Sequence, residues 1–453
     1  MKLNNIIDAF ITEVNEMKII LQGLVVYKDN KKIVSYAPAP FSVYDKKQVY
    51  SLSKSFCSTA VGVLCDRGIL DPSEKITDIF PDETPQKTDE KLSAMTLSHV
   101  LSMNTGHSSC VMNEMVNSDN PVKAFMEHTP EFYPGTHFAY NTGASFLASA
   151  CVTKRTGVTA HDVLEKYVFP HLGIENTMWV SYKGISEGGV GIHISCEDAA
   201  KLGLLYLNKG KWGDKQILSE KYVDMASAAV SDNSGNGNPD WCAGYGFQFW
   251  RNYRGGYRGD GAYGQAVLIH PDENVVISLF SEGSNYQGLF DSAYKMLNRI
   301  KSVQDMRMTA QPAFSFVPLK SDNSKFEYYD IKYELQDNKS DFGFLQVRKT
   351  ESGFELLIDS NTISIRDGVW TEGVLKGKNV KPNIPALTSC HDMPYEYYAS
   401  GAVSKDSIKI LLYGRNCPNC SELTVDFSHS GLILERKGYY AKNCDLKIRG
   451  HML

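Results

Sequence analysis

Apolar positions along the first 300 residues alternate between helical spacing and short unbroken runs. Ile6, Ile7, Phe10, Ile11, Val14 and Met17, with Asp8, Glu13 and Glu16 between them, predict an amphipathic helix packed on the body. Leu24–Tyr27 and Lys32–Tyr36 flank a Lys28-Asp29-Asn30-Lys31 turn and read as a hairpin. Phe56, Ala60, Val63 and Leu64 follow helical spacing up to Gly68. A helix opens at Met95-Thr96 and runs through His99, Leu101 and Met103, with Gly106 after it. Another covers Ala144–Thr153. Ser195-Cys196-Glu197-Asp198 is a capping-box pattern ahead of Ala199–Leu207. Ala266–His270 and Val275–Phe280 are strands joined through Pro271-Asp272-Glu273, and a last helix spans about Leu289–Ile300.

Residues 303–325 carry Pro312, Pro318 and a polar run from Lys320 to Ser324, and read as a linker. Beyond it the period changes to two. Candidate strands are Phe326–Leu335, Phe342–Lys349, Phe354–Asp359, Thr362–Arg366, Tyr395–Ala402, Ser407–Tyr413, Leu423–Phe427, Leu432–Arg436 and Leu446–Arg449. Short strands in that number, separated by turn signals, predict an antiparallel barrel or sandwich. Its tyrosines, such as Tyr328, Tyr329, Tyr395, Tyr397, Tyr439 and Tyr440, read mainly as core and cross-strand pairs. The division is then 1–302, a linker at 303–325, and an all-β domain at 326–453; no repeat of solenoid period is visible.

Composition narrows the function classes. A balance of 47 Lys+Arg against 52 Asp+Glu argues against nucleic acid or an anionic membrane as partner. No run of about 18 apolar residues is present to span a bilayer. The N-terminus lacks the uninterrupted apolar core of a signal peptide. The 10 cysteines are scattered, which suits reduced thiols and a cytoplasmic location better than a disulfide framework. Cys57, Cys65 and Cys151 fall inside helical apolar patterns. Cys417-Pro418-Asn419-Cys420 reads as a tight turn between strands, given Gly414 and Asn416 beside it. Zinc there needs two further ligands, with Cys390, His391, His429 and Cys444 as the candidates. The expectation is a protein without metal or cofactor; its oligomeric state is left open.

The candidate chemistry begins at Ser51-Leu52-Ser53-Lys54, which runs directly into a helix. Residues three apart on a helix share a face, so the Ser51 hydroxyl and the Lys54 amine can meet. Serine needs a base to become a nucleophile, and lysine serves as one only if its pKa falls. The helix start adds backbone N–H groups that favour an anion formed on the substrate. The same tetrapeptide recurs as Ser292-Ala293-Tyr294-Lys295, read as a solvated helix face. A second segment, Pro134-Gly135-Thr136 followed by Tyr140-Asn141-Thr142-Gly143, is a turn leading into a helix. Tyr140 alone is more often a buried aromatic than a catalyst. A third, Arg258-Gly259-Asp260-Gly261-Ala262, precedes an apolar strand, and its glycines allow close backbone approach.

Together these segments resemble the serine β-lactamase and penicillin-binding-protein superfamily, in particular class C β-lactamase-like esterases and amidases, over about residues 20–300. Ser-x-x-Lys is a known signature of that superfamily. Met95–Gly106, Leu172-Gly173-Ile174 and Tyr245–Trp250 add supporting phrases in the expected order. The resemblance implies an α/β (α+β) domain with a central antiparallel sheet flanked by helices, and more loosely a lipocalin-like C-terminal domain. It implies that Ser51 is the acylated nucleophile, Lys54 its base and Tyr140 the proton shuttle. The N–H groups of Ser51 and Ala262 would form the oxyanion hole, with Gly261, Asp260, Arg258, Asn141 and Thr142 around the substrate. Two departures stand out. Thr142 takes the place of the superfamily's asparagine, with Asn141 displaced by one. Gly259 stands where penicillin-recognising members carry a cation, leaving Arg258 as its possible substitute and Asp260 to attract a cationic or hydroxylated substrate. The leading expectation is a hydrolase of small esters or amides. The alternatives are a β-lactamase or D-amino-acid-specific peptidase, and a catalytically silent binding protein.

Overall fold

The computed structural model describes residues 2–116, 118–322, 324–336, 338, 342–376, 393–440 and 445–453. A six-stranded antiparallel sheet organises the first domain. Its order is Trp250–Arg251, Tyr257–Gly261, Gln265–His270, Val275–Glu282, Ile20–Lys28 and Lys31–Tyr36. The expected hairpin closes through Asp29 and Asn30, both at positive φ (52° and 59°). Asp and Asn tolerate that region, and such a turn matches strand twist.

The apolar stripe of the N-terminal helix, Leu3–Glu16, is buried through Leu3, Ile6, Ile7, Phe10, Ile11 and Val14. It packs beside the helix Tyr286–Ile300 on one face of the sheet. The second Ser-x-x-Lys lies here. Ser292 and Lys295 both donate to the Glu13 carboxylate, at 3.0 and 3.1 Å, so this copy ties two helices together instead of facing only water. On the other face, Cys196–Leu207 is capped by Ser195, whose hydroxyl accepts from the Asp198 N–H at 3.0 Å. That helix meets the sheet at Gly203, where a Cβ would come 2.6 Å from Val276 and 2.7 Å from Val267.

The C-terminal domain is one ten-stranded antiparallel sheet that nearly closes into a barrel. Its order is Asn361–Arg366, Gly353–Ile358, Phe344–Lys349, Lys332–Leu335, Leu446–Met452, Gly431–Gly438, Cys420–Ser428, Ser407–Gly414, Tyr395–Val403 and Thr371–Leu375. Its two edges approach where the Thr371 hydroxyl donates to Ser364 O at 2.7 Å. Thr371–Leu375 is the strand that sequence periodicity did not reveal; Glu372 and Gly373 interrupt its apolar pattern. Tyr395 and Tyr397 are buried in the barrel core, whereas Tyr439 is exposed. A cavity by Phe342, Ile358, Ile363 and Leu375 holds about 20 Å³, room for a water and not for an organic ligand.

The segment 303–325 contains neither helix nor strand among its described residues, but it is docked along its length. Phe316 N donates to Ala39 O at 2.9 Å, Trp370 Nε1 donates to Phe316 O at 3.1 Å, and Leu319 N donates to the Ser400 hydroxyl at 2.7 Å. The two domains share an apolar cluster of Ile20, Phe41, Tyr398, Leu411, Tyr413 and Cys420, with Phe41 stacked on Tyr413 at 5.6 Å. Cys417 and Cys420 are buried in it or beside it. His429 is exposed in the turn beyond the far end of the strand Cys420–Ser428, which spans roughly 26 Å at about 3.3 Å per residue. Cys390, His391 and Cys444 lie outside the described residues.

Replacing Gly203 with leucine overfills the helix–sheet contact. The expected result is a loss of about 1–3 kcal/mol in first-domain stability, measured by urea titration followed through tryptophan fluorescence.

Candidate active site

The nucleophile segment forms because the chain passes from a short strand, Lys47–Gln48, into a single 3₁₀ turn, Tyr50–Leu52, and then into the helix Ser53–Asp66. Tyr50 is held at φ 48°. That left-handed conformation costs a bulky residue about 1–3 kcal/mol, so its surroundings must enforce it. The turn presents Ser51, half-buried, at the base of a cavity of about 470 Å³.

The helix Ser53–Asp66 is buried through most of its length, and Lys54 with it. The Lys54 amine lies 3.2 Å from the Ser51 hydroxyl, 3.3 Å from the Thr142 hydroxyl and 2.9 Å from Gly189 O. Removal from water draws its pKa down to about 7, against the smaller pull of Cys110 and Asp260. Near neutral pH a substantial fraction is therefore an unprotonated amine within reach of the serine proton. Tyr140 faces the same point. Its ring lies 4.9 Å from the Lys54 nitrogen and stacks on Trp250 at 5.2 Å. Burial, and then the Asp260 charge, push its phenol upward, against a hydrogen bond to Ser51. The phenol thus stays protonated at neutral pH, suited to passing a proton on rather than to holding a phenolate.

The strand Tyr257–Gly261 runs directly against the nucleophile turn. A Cβ on Gly259 would come 2.4 Å from the Ser55 hydroxyl oxygen. One on Gly261 would come 2.1 Å from Val49 O and 3.1 Å from Ser51 N. Both glycines face the helix, and Asp260 between them faces the cavity. The absence of a cation at position 259 thus has a steric reason: this backbone sits too close to hold a side chain there. At the strand end Gly261 lies against the Ser51 backbone, and its neighbour Ala262 lines the same cavity as Ser51.

Two expected site residues are placed differently. Arg258 does not reach the cavity. It is fully buried behind the cavity wall, donating to Asp260 Oδ2 at 2.9 Å, Asp240 O at 2.8 Å and Asn252 Oδ1 at 3.1 Å. Its guanidinium lies 4.7 Å from the Trp241 ring and 4.8 Å from that of Phe290. Strand alternation explains this: Arg258 and Asp260 share a face, and the carboxylate captures the nearer cation. Asn141 is buried as the cap of the helix Thr142–Thr156. Its Oδ1 accepts from the N–H groups of Gly143, Ala144 and Val111, at 2.9, 3.3 and 3.3 Å. Thr142, one residue on, supplies the side chain that meets Lys54.

The cavity walls are Trp241, Trp250, Tyr286 and Phe290, with Asn236, Asn238 and Asp260 as further polar groups. Of the four aromatic walls, only Trp250 belonged to a phrase noticed in the sequence. The others come from a loop and a distant helix, and no spacing links them.

A serine hydroxyl 3.2 Å from a desolvated lysine, beside a protonated tyrosine and a close-packed strand end, is an arrangement that fits a serine hydrolase. Residues 8–297 match the beta-lactamase family, and the chain belongs to that family. It is similar to the 6-aminohexanoate-dimer hydrolase of Paenarthrobacter ureafaciens, 23% identical over 310 residues, covering 61% of this chain and 77% of that protein. Among solved structures it resembles EstCE1, a hydrolase with promiscuous acyltransferase activity. The TM-score is 0.55 at 14% identity, covering 66% of this chain and 98% of that one. The octameric penicillin-binding protein homologue from Pyrococcus abyssi matches over both domains. Its TM-score is 0.53 at 14% identity, covering 99% of this chain and 100% of that one. No helix among the described residues is long and apolar enough to cross a membrane.

The amine accepts a proton only when neutral, so kcat/KM for an activated ester is expected to rise with pH through about 7 and level off above it. A profile flat from pH 5.5 to 8.5 contradicts that role. Gly261→Ala pushes the strand off the nucleophile turn, with an expected loss of about a hundred-fold or more in kcat and native circular dichroism retained.

Proposed function

We propose that the protein hydrolyses a small ester or amide through an acyl-enzyme on Ser51. Lys54 takes the Ser51 proton as the hydroxyl oxygen attacks the substrate carbonyl. The N–H groups of Ser51 and Ala262 hold the oxyanion. Tyr140 gives its proton to the leaving alcohol or amine and takes one from the Lys54 ammonium, so both groups return to their starting state. Water then attacks the acyl-enzyme by the same route in reverse, and the acid leaves. The observation that carries this reading is the 3.2 Å contact between the Ser51 hydroxyl and a lysine drawn down to about 7.

The cavity favours one kind of acyl or leaving group. Aromatic walls suit an apolar chain, and Asp260 suits a terminal amino or hydroxyl group. Among the described residues no arginine or lysine lines this cavity. That weighs against the β-lactam and D-peptide readings, in which a substrate carboxylate needs a cation. The relative from Paenarthrobacter ureafaciens is named for hydrolysis of 6-aminohexanoate dimer, which supports amides as candidates here.

A fluorophosphonate is expected to add to wild-type protein once, on Ser51, as read by intact mass and peptide mapping. Ser51→Ala is expected to lose both the adduct and ester turnover; an adduct that persists in this variant refutes the assignment. Asp260→Asn is expected to lower kcat/KM for esters with an amino-terminated acyl chain about ten-fold more than for their alkyl counterparts, since a charge-assisted contact is worth about 1.5–3 kcal/mol. Equal losses on both would remove Asp260 from substrate recognition.

A further inference from the structure

The turn Cys417–Cys420 of the β domain has no part in the chemistry above, yet it touches the segment that presents the nucleophile. The Tyr50 hydroxyl donates to Asn419 Oδ1 at 2.7 Å, and both side chains are buried. Just before it, Gln48 N donates to Asn416 O at 3.0 Å and the Lys47 amine donates to Gly414 O at 2.6 Å. On the opposite side of the turn, Cys420 N donates to Glu282 Oε2 at 2.8 Å, and Gln22 Nε2 donates to Pro418 O at 2.6 Å. Glu282 ends the strand whose next residue, Gly283, donates from its N–H to Tyr263 O at 3.1 Å. Tyr263 follows Ala262, stands at φ 67°, and packs edge-on against Tyr50 at 5.3 Å. The β-domain turn thus lies between the segment that leads into Ser51 and the sheet strands that carry Gln22 and Glu282.

The geometry points to Asn419 as a positioning residue for Ser51, supplied by the β domain; this rests on the reading of Ser51 as nucleophile. Tyr50 occupies a left-handed conformation that an aromatic side chain does not hold by itself. Its phenol is clamped at the far end by Asn419 and its ring by Tyr263. Rotation of Tyr50 toward ordinary φ turns the Ser51 hydroxyl and N–H together, because they share the next peptide. A displacement of about 1 Å at such a centre is enough for a hundred-fold loss in rate. Asn419 reaches neither the cavity nor the reacting atoms, so its effect is on orientation and not on binding.

The test is a double-mutant cycle on the full chain with Tyr50→Phe and Asn419→Ala. The readouts are the rate of fluorophosphonate addition to Ser51, kcat and KM on an activated ester, and thermal unfolding. Each single variant is expected to slow acylation by about ten- to a hundred-fold through kcat, with KM within about two-fold. The double variant is expected to be no slower than the worse single one, because one contact is removed either way. Tyr50→Phe keeps the ring and removes only the donor, so it carries the test if Asn419→Ala proves unstable. Wild-type acylation rates in a folded Tyr50→Phe variant overturn the inference while leaving Ser51 as nucleophile. Additive losses, or losses confined to KM, overturn it as well. Labelling that survives Ser51→Ala overturns the underlying reading and this one with it.

Discussion

Keeping Lys54 away from water is the constraint around which the first domain is arranged. A charged ammonium in that position would be costly, and a neutral amine is a base; burial produces the second from the first. The requirement extends to the helix that carries it. Ser53–Asp66 sits inside the domain, and its buried hydroxyls find partners on neighbouring elements. Ser55 donates to Gln248 O at 2.9 Å, while Ser58 meets the Tyr222 hydroxyl at 3.1 Å and Thr59 that of Tyr206 at 3.0 Å. Gly62 admits the Tyr222 ring, which would come within 2.5 Å of a Cβ. A polar, small-residue helix can therefore occupy the centre of the domain without leaving those hydroxyls unpaired.

The same economy of space governs the substrate side. The strand Tyr257–Gly261 approaches the nucleophile turn so closely that its inward positions are glycine. Its outward positions, Arg258 and Asp260, then become neighbours. Their ion pair at 2.9 Å fixes the carboxylate at the cavity edge and withdraws the guanidinium behind aromatic rings. What remains open to substrate is aromatic surface with one acidic corner. That lining follows from strand alternation and packing.

The two domains meet through an apolar cluster and through the backbone around Ser51. Among the described residues the barrel interior is packed with apolar side chains, and at its surface the Cys417–Cys420 turn meets the segment that leads into Ser51. The linker at 303–325 is held by hydrogen bonds to both bodies.

Local periodicity determined most of the elements: the N-terminal amphipathic helix, the Asp29-Asn30 hairpin, the Ser195-capped helix and nine of the barrel strands follow from side-chain spacing alone. Ser51, Lys54 and Tyr140 were legible because each lies in a short contiguous motif at a helix start. Tertiary structure decided what those motifs touch. Asn141 became a helix cap because its side-chain oxygen sits over the N–H groups of Gly143 and Ala144 at the helix start. Arg258 was held behind the cavity wall because Asp260, on the same strand face, pairs with it. The second Ser-x-x-Lys found Glu13 across a helix pair. Trp241 reached the cavity from a loop and Tyr286 and Phe290 from a distant helix, and Asn419 reached Tyr50 across 369 residues of chain. Spacing along a chain encodes which residues share a face; it carries no record of which faces meet, and that depends on how whole elements pack.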